Sequence, residues 1–473
     1  MTALQGNYLP VKGTARSITT VLPEETLHRC ITFLDKESDL KNATATCKLL
    51  ARIATPTLYR SFSPNASGNN ETRTLAYLKS MIEYPERAKY LKELQLPRIE
   101  LDVVRVRPTA QALPMLKALQ PLQHPLTPEI SCSIVKGAVG ALHALLIVLA
   151  SDLQVLTLDT GSDLPGVDNL QSITPSDIAF ISNEQLLMQL LGTTTLPGSK
   201  MSNTFSSLHT LTLGLGVEKP SSHFSVRILD QVLQLPSLRK LEASYCAAGN
   251  SSAAIRTCRK ASSNVTSLTI KHGRLDADTV VHLINSCRQL CRLSINIVAF
   301  SSRHWNATID QDANERRHAL IEALSRHEAS LCEMVIRDQS ASLFALPSGS
   351  APRMSFAKYG KLWSLLLEER ALRDVNTVSG LEQMLPAQLK CLMLRARHDC
   401  DAVKLATCVV KAVVKMPNLE CVVLDMAPEA AHMEVFETVF EQLQFAKLKP
   451  GLEGWAVCHK SKGWTDRFGH LCF

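Results

Sequence analysis

Aromatic residues are scarce in this chain, and so is an excess of charge of one sign. Phenylalanine, tryptophan and tyrosine together make up 5% of the 473 residues. A folded core must therefore be built from aliphatic side chains. The 51 Lys and Arg residues and 44 Asp and Glu residues leave a net charge of +7, and the basic residues form no stripe interleaved with aromatics. Binding to nucleic acid therefore receives little support.

Long apolar runs are also lacking. The longest, residues 138–150, spans thirteen positions and is interrupted by a glycine and by His143. So short a run cannot cross a bilayer, so we expect a buried helix and no membrane partner. The first twenty residues have no apolar run and contain Lys12 and Arg16. We therefore expect no secretory signal, and a disordered segment over 1–19. The fourteen cysteines follow no disulfide spacing, which favours reduced thiols in a cytoplasmic or nuclear protein.

Motifs that carry known chemistry are missing. The sequence has no Gly-x-Ser-x-Gly elbow, no glycine-rich phosphate loop ending in Lys-Ser/Thr and no His-Glu-x-x-His pair. The Cys and His groups that approach metal-ligand spacing are weak: Cys287 with Cys291, His398 with Cys400 and Cys408, and Cys458 and His459 with His470 and Cys472. We therefore expect a non-enzymatic protein without cofactor or metal. A hydrolase or metal enzyme whose residues meet only in three dimensions is the alternative.

Helical patterns are concentrated near the N-terminus. Pro23 suits the first turn of a helix, and Glu24 and Glu25 complement the helix dipole. Apolar residues then recur at helical spacing in two stripes, first Leu27, Cys30, Ile31 and Leu34, and then Leu40, Ala43, Cys47, Leu50 and Ala54. A segment this short cannot build a large core, so these apolar faces predict completion by a partner.

The same segment resembles an F-box. The elements that carry the resemblance are Leu22-Pro23-Glu24-Glu25, then Leu34-Asp35 with Asp39-Leu40, and then Cys47-Lys48. The resemblance implies that the helices dock on a Skp-type adaptor protein. We expect the contact to use apolar side chains of this segment, namely Leu22, Pro23, Leu27, Ile31, Leu34 and Leu40. A helical hairpin that belongs to the main domain is the alternative.

Beyond this segment one short pattern, apolar-x-x-apolar-x-apolar, recurs eleven times. It begins at Leu91, and from Leu208 onward the copies start 25 to 41 residues apart. Each copy predicts a short strand with alternate residues inward. Helical patterns lie between copies, as at 226–235, 280–287, 319–324 and 403–413. Strand, turn and helix repeated at this period is typical of stacked repeats.

These copies resemble degenerate leucine-rich repeats. Their resemblance implies an α/β fold in which a small N-terminal helical F-box precedes an irregular right-handed solenoid, with a parallel sheet on the concave face and helices outside. The predicted organisation is a disordered N-terminus at 1–19, the F-box module at 20–62, linker helices at 63–90 and the repeat domain at 91–473, with insertions near 102–130, 159–185 and 339–360. A generic α/β domain with a parallel sheet is the alternative.

The central outward residue of each strand is expected to face the concave side. In the earlier copies this residue is polar: Thr157, Thr212, Glu242, Thr269 and Ser294. In the later copies it is apolar: Val335, Leu366, Met393 and Val423. This apolar patch, flanked by Arg337 and Arg395, predicts a target-binding surface. The alternative is that residues 339–360 or the C-terminal tail cover the patch.

An F-box followed by leucine-rich repeats is similar to the substrate receptors of cullin–RING ubiquitin ligases. The resemblance implies that the adaptor joins this chain to a cullin, that the repeats hold an unknown target protein, and that the chain itself catalyses nothing. A leucine-rich repeat scaffold or binding protein that acts independently of ubiquitination is the alternative.

Overall fold

The computed structural model of the protein describes residues 22–64, 70–97, 114–117, 127–135, 139–159, 186–187, 190–191, 205–214, 224–247, 258–297, 309–338, 355–368, 381–395, 415–426 and 454–459. They form a small N-terminal helical module and a mixed α/β body with a large parallel sheet. Within these ranges no helix has both the length and the apolar character needed to cross a membrane. The segment predicted to be disordered, 1–19, lies outside them.

The helical module, residues 22–60, contains α1 (Glu24–Thr32), α2 (Glu37–Thr46) and α3 (Lys48–Leu58). Pro23 precedes α1, and two glutamates occupy its first turn, as the helix dipole favours. The second predicted stripe is divided between two helices because Cys47 is extended, with φ −161° and ψ 164°. Its sulfur accepts a hydrogen bond from the backbone N–H of Leu50 at 3.5 Å and so caps α3.

The body contains one main sheet of twelve parallel strands that lie side by side in chain order. This arrangement confirms the predicted α/β class. The strands of this sheet are β1 (Ser61–Phe62), β2 (Glu93–Leu96), β3 (Val155–Leu158), β4 (Thr210–Leu213), β6 (Lys240–Ser244), β8 (Ser267–Gly273), β9 (Arg292–Ile297), β10 (Glu333–Asp338), β11 (Ser364–Glu368), β12 (Cys391–Arg395), β13 (Cys421–Met426) and β14 (Gly454–His459). Two short strands, β5 (Phe224–Ser225) and β7 (Cys246–Ala247), pair separately.

Helices occupy several of the connections between strands. They are α4 (Asn70–Glu83), a 3₁₀ helix (Pro85–Tyr90), α5 (Thr127–Val135), α6 (Val139–Leu149), α7 (Arg227–Val232), α8 (Ala277–Ser286), α9 (Ile309–Ser325) and α10 (Leu381–Met384). Eleven residues of the apolar run form α6, whose central residues are buried as predicted. Asp276 caps α8 by accepting a hydrogen bond from the N–H of Thr279 at 2.7 Å. The helical pattern at 403–413 lies outside the described residues.

The main core follows the middle apolar residue of each strand. These residues lie in register across ten strands and all are buried: Leu94, Leu156, Leu211, Leu241, Leu268, Leu293, Met334, Leu365, Leu392 and Val422. Helix residues such as Val280 and Leu283 of α8 pack into the same core. Burial of each such side chain stabilises the fold by about 1.5–3 kcal/mol, so the aliphatic composition is sufficient for a core of this size.

Hydrogen bonds from side chains join successive copies of the strand pattern. The donor is the residue just before the first apolar residue of a copy, and the acceptor is a backbone carbonyl about one copy earlier. Ser330 donates to the carbonyl of Leu290 at 2.7 Å, and Asn264 donates to that of Pro236 at 2.8 Å. Three further residues do the same: Ser237, Gln388 and Asn418. These bonds satisfy carbonyls where the chain enters each strand, which helps to set the register.

Two predicted boundaries differ from the structure. Ser61–Phe62, assigned by sequence to the helical module, forms the first strand of the sheet and pairs with Glu93 and Leu94 of β2. Two residues are too few to show strand periodicity. In the predicted insertion 102–130, α5 already begins at Thr127. Of the other two insertions, only Asp159 and residues 355–360 are described.

Candidate partner-binding surfaces

The helical module has a hydrophobic core of its own. Leu27, Ile31 and Leu40 pack with Ile53 and Ala54 in a cluster that is separate from the main core. Leu22 and Leu34 are half-buried at its edge. The alternative of a hairpin that shares the core of the main domain is therefore not what the structure shows.

This core changes the expected role of three predicted contact residues. Leu27, Ile31 and Leu40 are only 4%, 5% and 7% exposed, so in this structure their side chains cannot contact a partner directly. Their apolar stripe is used to hold α1, α2 and α3 together. Pro23, in contrast, is exposed. Direct contact through the predicted set is thus available to Pro23 and to the edge residues Leu22 and Leu34.

The most exposed large hydrophobic side chain among the described residues is Phe33, at 80%. It follows the last turn of α1, and its N–H donates to the carbonyl of Cys30 at 3.2 Å. Phe33 directly precedes Leu34 at the edge of the module core, so the two side chains add to one apolar surface, and contiguous apolar surface marks interaction sites. Sequence reasoning missed it because it lies outside the helical stripe, where apolar spacing gives no signal.

The helical module is attached to the body by a cluster of aromatic and cationic side chains. The hydroxyl of Tyr77 donates to the carbonyl of Tyr59 at 3.0 Å, and its ring stacks on Phe62 at 4.2 Å. Arg87 donates to the hydroxyl of Tyr59 at 3.0 Å and lies 3.9 Å from the ring centre of Tyr84. Burial raises the pKa of Tyr77 well above its ordinary value. We call these five residues the junction.

A second candidate surface lies on the face of the sheet opposite the main core. All nine central outward residues predicted from the sequence form one continuous row in register, from Thr157 on β3 to Val423 on β13. The row extends to Gln95 on β2, which is exposed. The five polar members, Thr157 to Ser294, are each half-buried, so their hydroxyl and carboxylate groups reach the surface.

Ion pairs between neighbouring strands accompany the row. Lys271 lies 2.7 Å from Glu242, and Arg292 lies 3.1 Å from Glu333. Each pair joins opposite charges, so these contacts leave the polar part of the row without a strong field of one sign. Exposed pairs of this kind contribute about 0–1 kcal/mol each, and they act mainly on specificity.

Three of the four apolar members of the row are closed to solvent. Val335, Leu366 and Val423 are 3%, 3% and 4% exposed, and none of them belongs to the main core. The prediction that they form an open target-binding patch is therefore wrong for these three residues. Met393 and Arg337 are half-buried, and the side chain of Arg395 lies outside the described residues. The burial agrees with the alternative, in which residues 339–360 or the C-terminal tail cover the patch. Of these segments only 355–360 and the backbone of 454–459 lie within the described residues.

One buried carboxylate was not found by sequence reasoning. Asp230 on α7 accepts hydrogen bonds from the backbone N–H of Cys258 at 3.1 Å and pairs with Nε2 of His282 on α8 at 2.8 Å. His282 also lines a cavity of about 240 Å³, together with Lys260 and Asn285. The carboxylate of Asp230 joins both the segment at 258 and α8 to α7, which is a structural role.

Metal-binding candidates from the sequence receive no support within the described residues. No group of three or more Cys, His, Asp or Glu side chains there is arranged to hold a metal ion. Cys287 is a core thiol, and burial raises its pKa to about 12. His398, Cys400, Cys408, His470 and Cys472, and the side chains of Cys458 and His459, lie outside the described residues. Neither protein-family models nor curated proteins give a match to this chain.

Proposed function

We propose that this chain is the substrate-recognition subunit of a cullin–RING ubiquitin ligase, with an F-box at residues 22–60 and a degenerate leucine-rich repeat domain behind it. The observation that carries the proposal is the separate helical core with an exposed Phe33 at its edge. The order and spacing of Leu22-Pro23, Leu34-Asp35, Asp39-Leu40 and Cys47-Lys48 support the same conclusion.

In this proposal the adaptor contacts the edge of the helical module, not its interior. Phe33, Pro23, Leu22 and Leu34 form the apolar contact, and Leu27, Ile31 and Leu40 maintain its shape. Burying a side chain as large as Phe33 contributes about 1.5–3 kcal/mol, which corresponds to roughly a tenfold to hundredfold change in affinity.

The target is proposed to contact the polar part of the row, Thr157 to Ser294. Two observations support this choice: these side chains reach the surface, whereas Val335, Leu366 and Val423 do not. Hydroxyls and paired charges favour a hydrogen-bonded contact with a polar target surface. The chain would act by holding a target lysine near ubiquitin carried by another subunit, which raises its effective concentration.

Co-purification with a Skp-type adaptor tests the adaptor contact. Phe33→Asp is expected to weaken adaptor binding at least about tenfold, because it removes apolar contact area and places a charge in the interface. Val135→Asp is the matched control, since Val135 is an exposed apolar residue of the body, at 46%. Equal adaptor binding by wild type and Phe33→Asp would contradict the proposed contact.

Variants in the core of the helical module cannot separate the loss of an adaptor contact from the loss of the module's fold. Leu27→Asp with Ile31→Asp would place charges in the module core and disrupt its folding, so any loss of binding would have two causes. The presence of a cullin in the same co-purification separates a ligase subunit from a scaffold. Adaptor capture without cullin would favour the scaffold.

A further inference from the structure

Two cysteines are direct neighbours in the main sheet. Cys391 begins β12, Cys421 begins β13, and the register pairs them across the parallel ladder. Their N–H groups donate at 2.9 Å to the carbonyls of Trp363 and Lys390, each one residue before the neighbouring strand, which fixes their backbone positions. Both thiols are half-buried, so a small oxidant can reach them.

The spacing of these cysteines is compatible with a disulfide bond. Neighbouring strands lie about 4.7–4.9 Å apart, and the Cα atoms of disulfide-bonded cysteines usually lie about 4.4–6.8 Å apart. Because paired residues of adjacent strands point to the same face of a sheet, the two thiols lie side by side on one face. A covalent bond therefore needs only a small change in side-chain position.

The proximity of the two thiols shifts their pKa values in opposite directions. The neighbouring Cys391 thiol lowers the pKa of Cys421. The neighbouring Cys421 thiol, together with burial, raises the pKa of Cys391. Thiolates are the reactive form of cysteine, so Cys421 has the character of a nucleophile and Cys391 that of a resolving thiol.

We propose that Cys391 and Cys421 form a peroxide-sensitive thiol pair that oxidises to an intramolecular disulfide. The Cys421 thiolate attacks one oxygen of hydrogen peroxide, which forms an S–O bond, breaks the O–O bond and releases hydroxide. The sulfur of Cys391 then attacks the resulting sulfenic acid. An S–S bond forms, and the departing hydroxide takes the thiol proton to give water. In the balanced reaction two thiols and one peroxide yield one disulfide and two waters.

The chain contains a matched control pair. Cys291 and Cys332 are also half-buried and adjacent, one residue before β9 and β10, with a backbone hydrogen bond between them of 2.8 Å. There the Cys332 thiol donates to the carbonyl of Ser330 at 3.4 Å, and burial raises its pKa. We therefore expect peroxide to link the 391–421 pair in preference to the 291–332 pair.

The test uses the full-length reduced protein, hydrogen peroxide, alkylation of remaining thiols and peptide mass spectrometry. The expected product is a pair of peptides joined at 391 and 421, lighter by two hydrogens and separated again by dithiothreitol. Cys391→Ser should leave a sulfenic acid at Cys421 that dimedone traps, and Cys421→Ser should leave no such adduct at Cys391. In each variant, continued protection of buried Cys246 from alkylation shows that the sheet is folded.

Three results would overturn the proposal: no link between 391 and 421, equal linking of 291 and 332, or dimedone trapping at Cys391 in the Cys421→Ser variant. The inference does not depend on the proposed ligase function, since none of its readouts involves an adaptor or target.

Discussion

His327 offers a strong test of how the repeats are joined. This buried imidazole lies between two connections: Nδ1 accepts a hydrogen bond from the N–H of Leu290 at 3.2 Å, and Nε2 lies 3.2 Å from the carbonyl of Ile284. His327→Leu places an apolar side chain of similar bulk there and removes both bonds. The carbonyl of Ile284 keeps a partner, because it also accepts a hydrogen bond from the N–H of Cys287 at 3.2 Å. The N–H of Leu290 is left without a partner, and a buried backbone group in that state costs about 1–3 kcal/mol, which is the expected loss of stability.

Hydrogen exchange and urea denaturation together measure this loss. The amide of Leu290 should exchange much faster in His327→Leu than in wild type, and the urea midpoint should fall. His327→Gln can supply an acceptor, its amide oxygen, for the N–H of Leu290, so its stability should lie between those of wild type and His327→Leu. A change in stability below about 0.5 kcal/mol, the range of ordinary surface substitutions, would refute the reasoning.

The same histidine predicts a pH dependence. Burial lowers the pKa of His327 below its ordinary value of 6.5. The unfolded chain therefore binds this proton more readily than the folded chain does. The corresponding stability is fully present above about pH 6.5 and is lost as the pH falls from there toward the folded pKa. The difference between wild type and His327→Leu should shrink over that interval.

Two further predictions concern a glycine and the thiols. Gly214 has a φ of +81°, and an added Cβ would run into the carbonyl oxygen of Ser244, so Gly214→Ala should lower the free energy of unfolding by about 2 kcal/mol or more. Gly360→Ala, where the added Cβ has no neighbour within 4 Å, is the control in the same urea titration. Iodoacetamide at pH 8 should modify exposed Cys30 rapidly and spare Cys246, whose pKa burial raises to about 12, until denaturant is added; equal labelling in native protein would contradict this burial.

Periodic apolar residues allowed much of the sheet to be predicted. Leu156, Leu211 and Leu268 each stand at the middle of a copy, and the structure pairs them in register as the pattern requires. The outward row follows from the same register, because successive side chains in a strand point to opposite faces. Local periodicity was sufficient here because each strand repeats the environment of the previous one.

The features that the sequence did not predict depend on contacts between segments that are distant along the chain. An apolar stripe such as Leu27 and Ile31 has the same spacing whether it faces its own module or a partner. Likewise, the sequence pattern predicts that Val335 and Leu366 belong to an exposed patch, and only the structure shows that both are buried. The side chains that donate hydrogen bonds just before each copy of the strand pattern, such as Ser330, were missed because a single polar residue shows no periodicity.

The junction attaches the helical module to one end of the main sheet through Tyr59, Phe62, Tyr77, Tyr84 and Arg87. A small rotation there therefore moves the far end of the sheet by a large distance. Phe62 lies in β1, and the other eleven strands of the main sheet follow it in order. With about 4.8 Å between neighbouring strands, the distance from the first strand to the last is roughly 50 Å. A rotation of about 10° at the junction would therefore displace the last strand by up to about 9 Å. If the stacked rings of the junction are rigid, a target bound to the sheet, as proposed above, lies at a reproducible distance from an adaptor bound to the N-terminal helices. Removing the Tyr77 hydroxyl would then alter that distance without changing Phe33 or the polar part of the row.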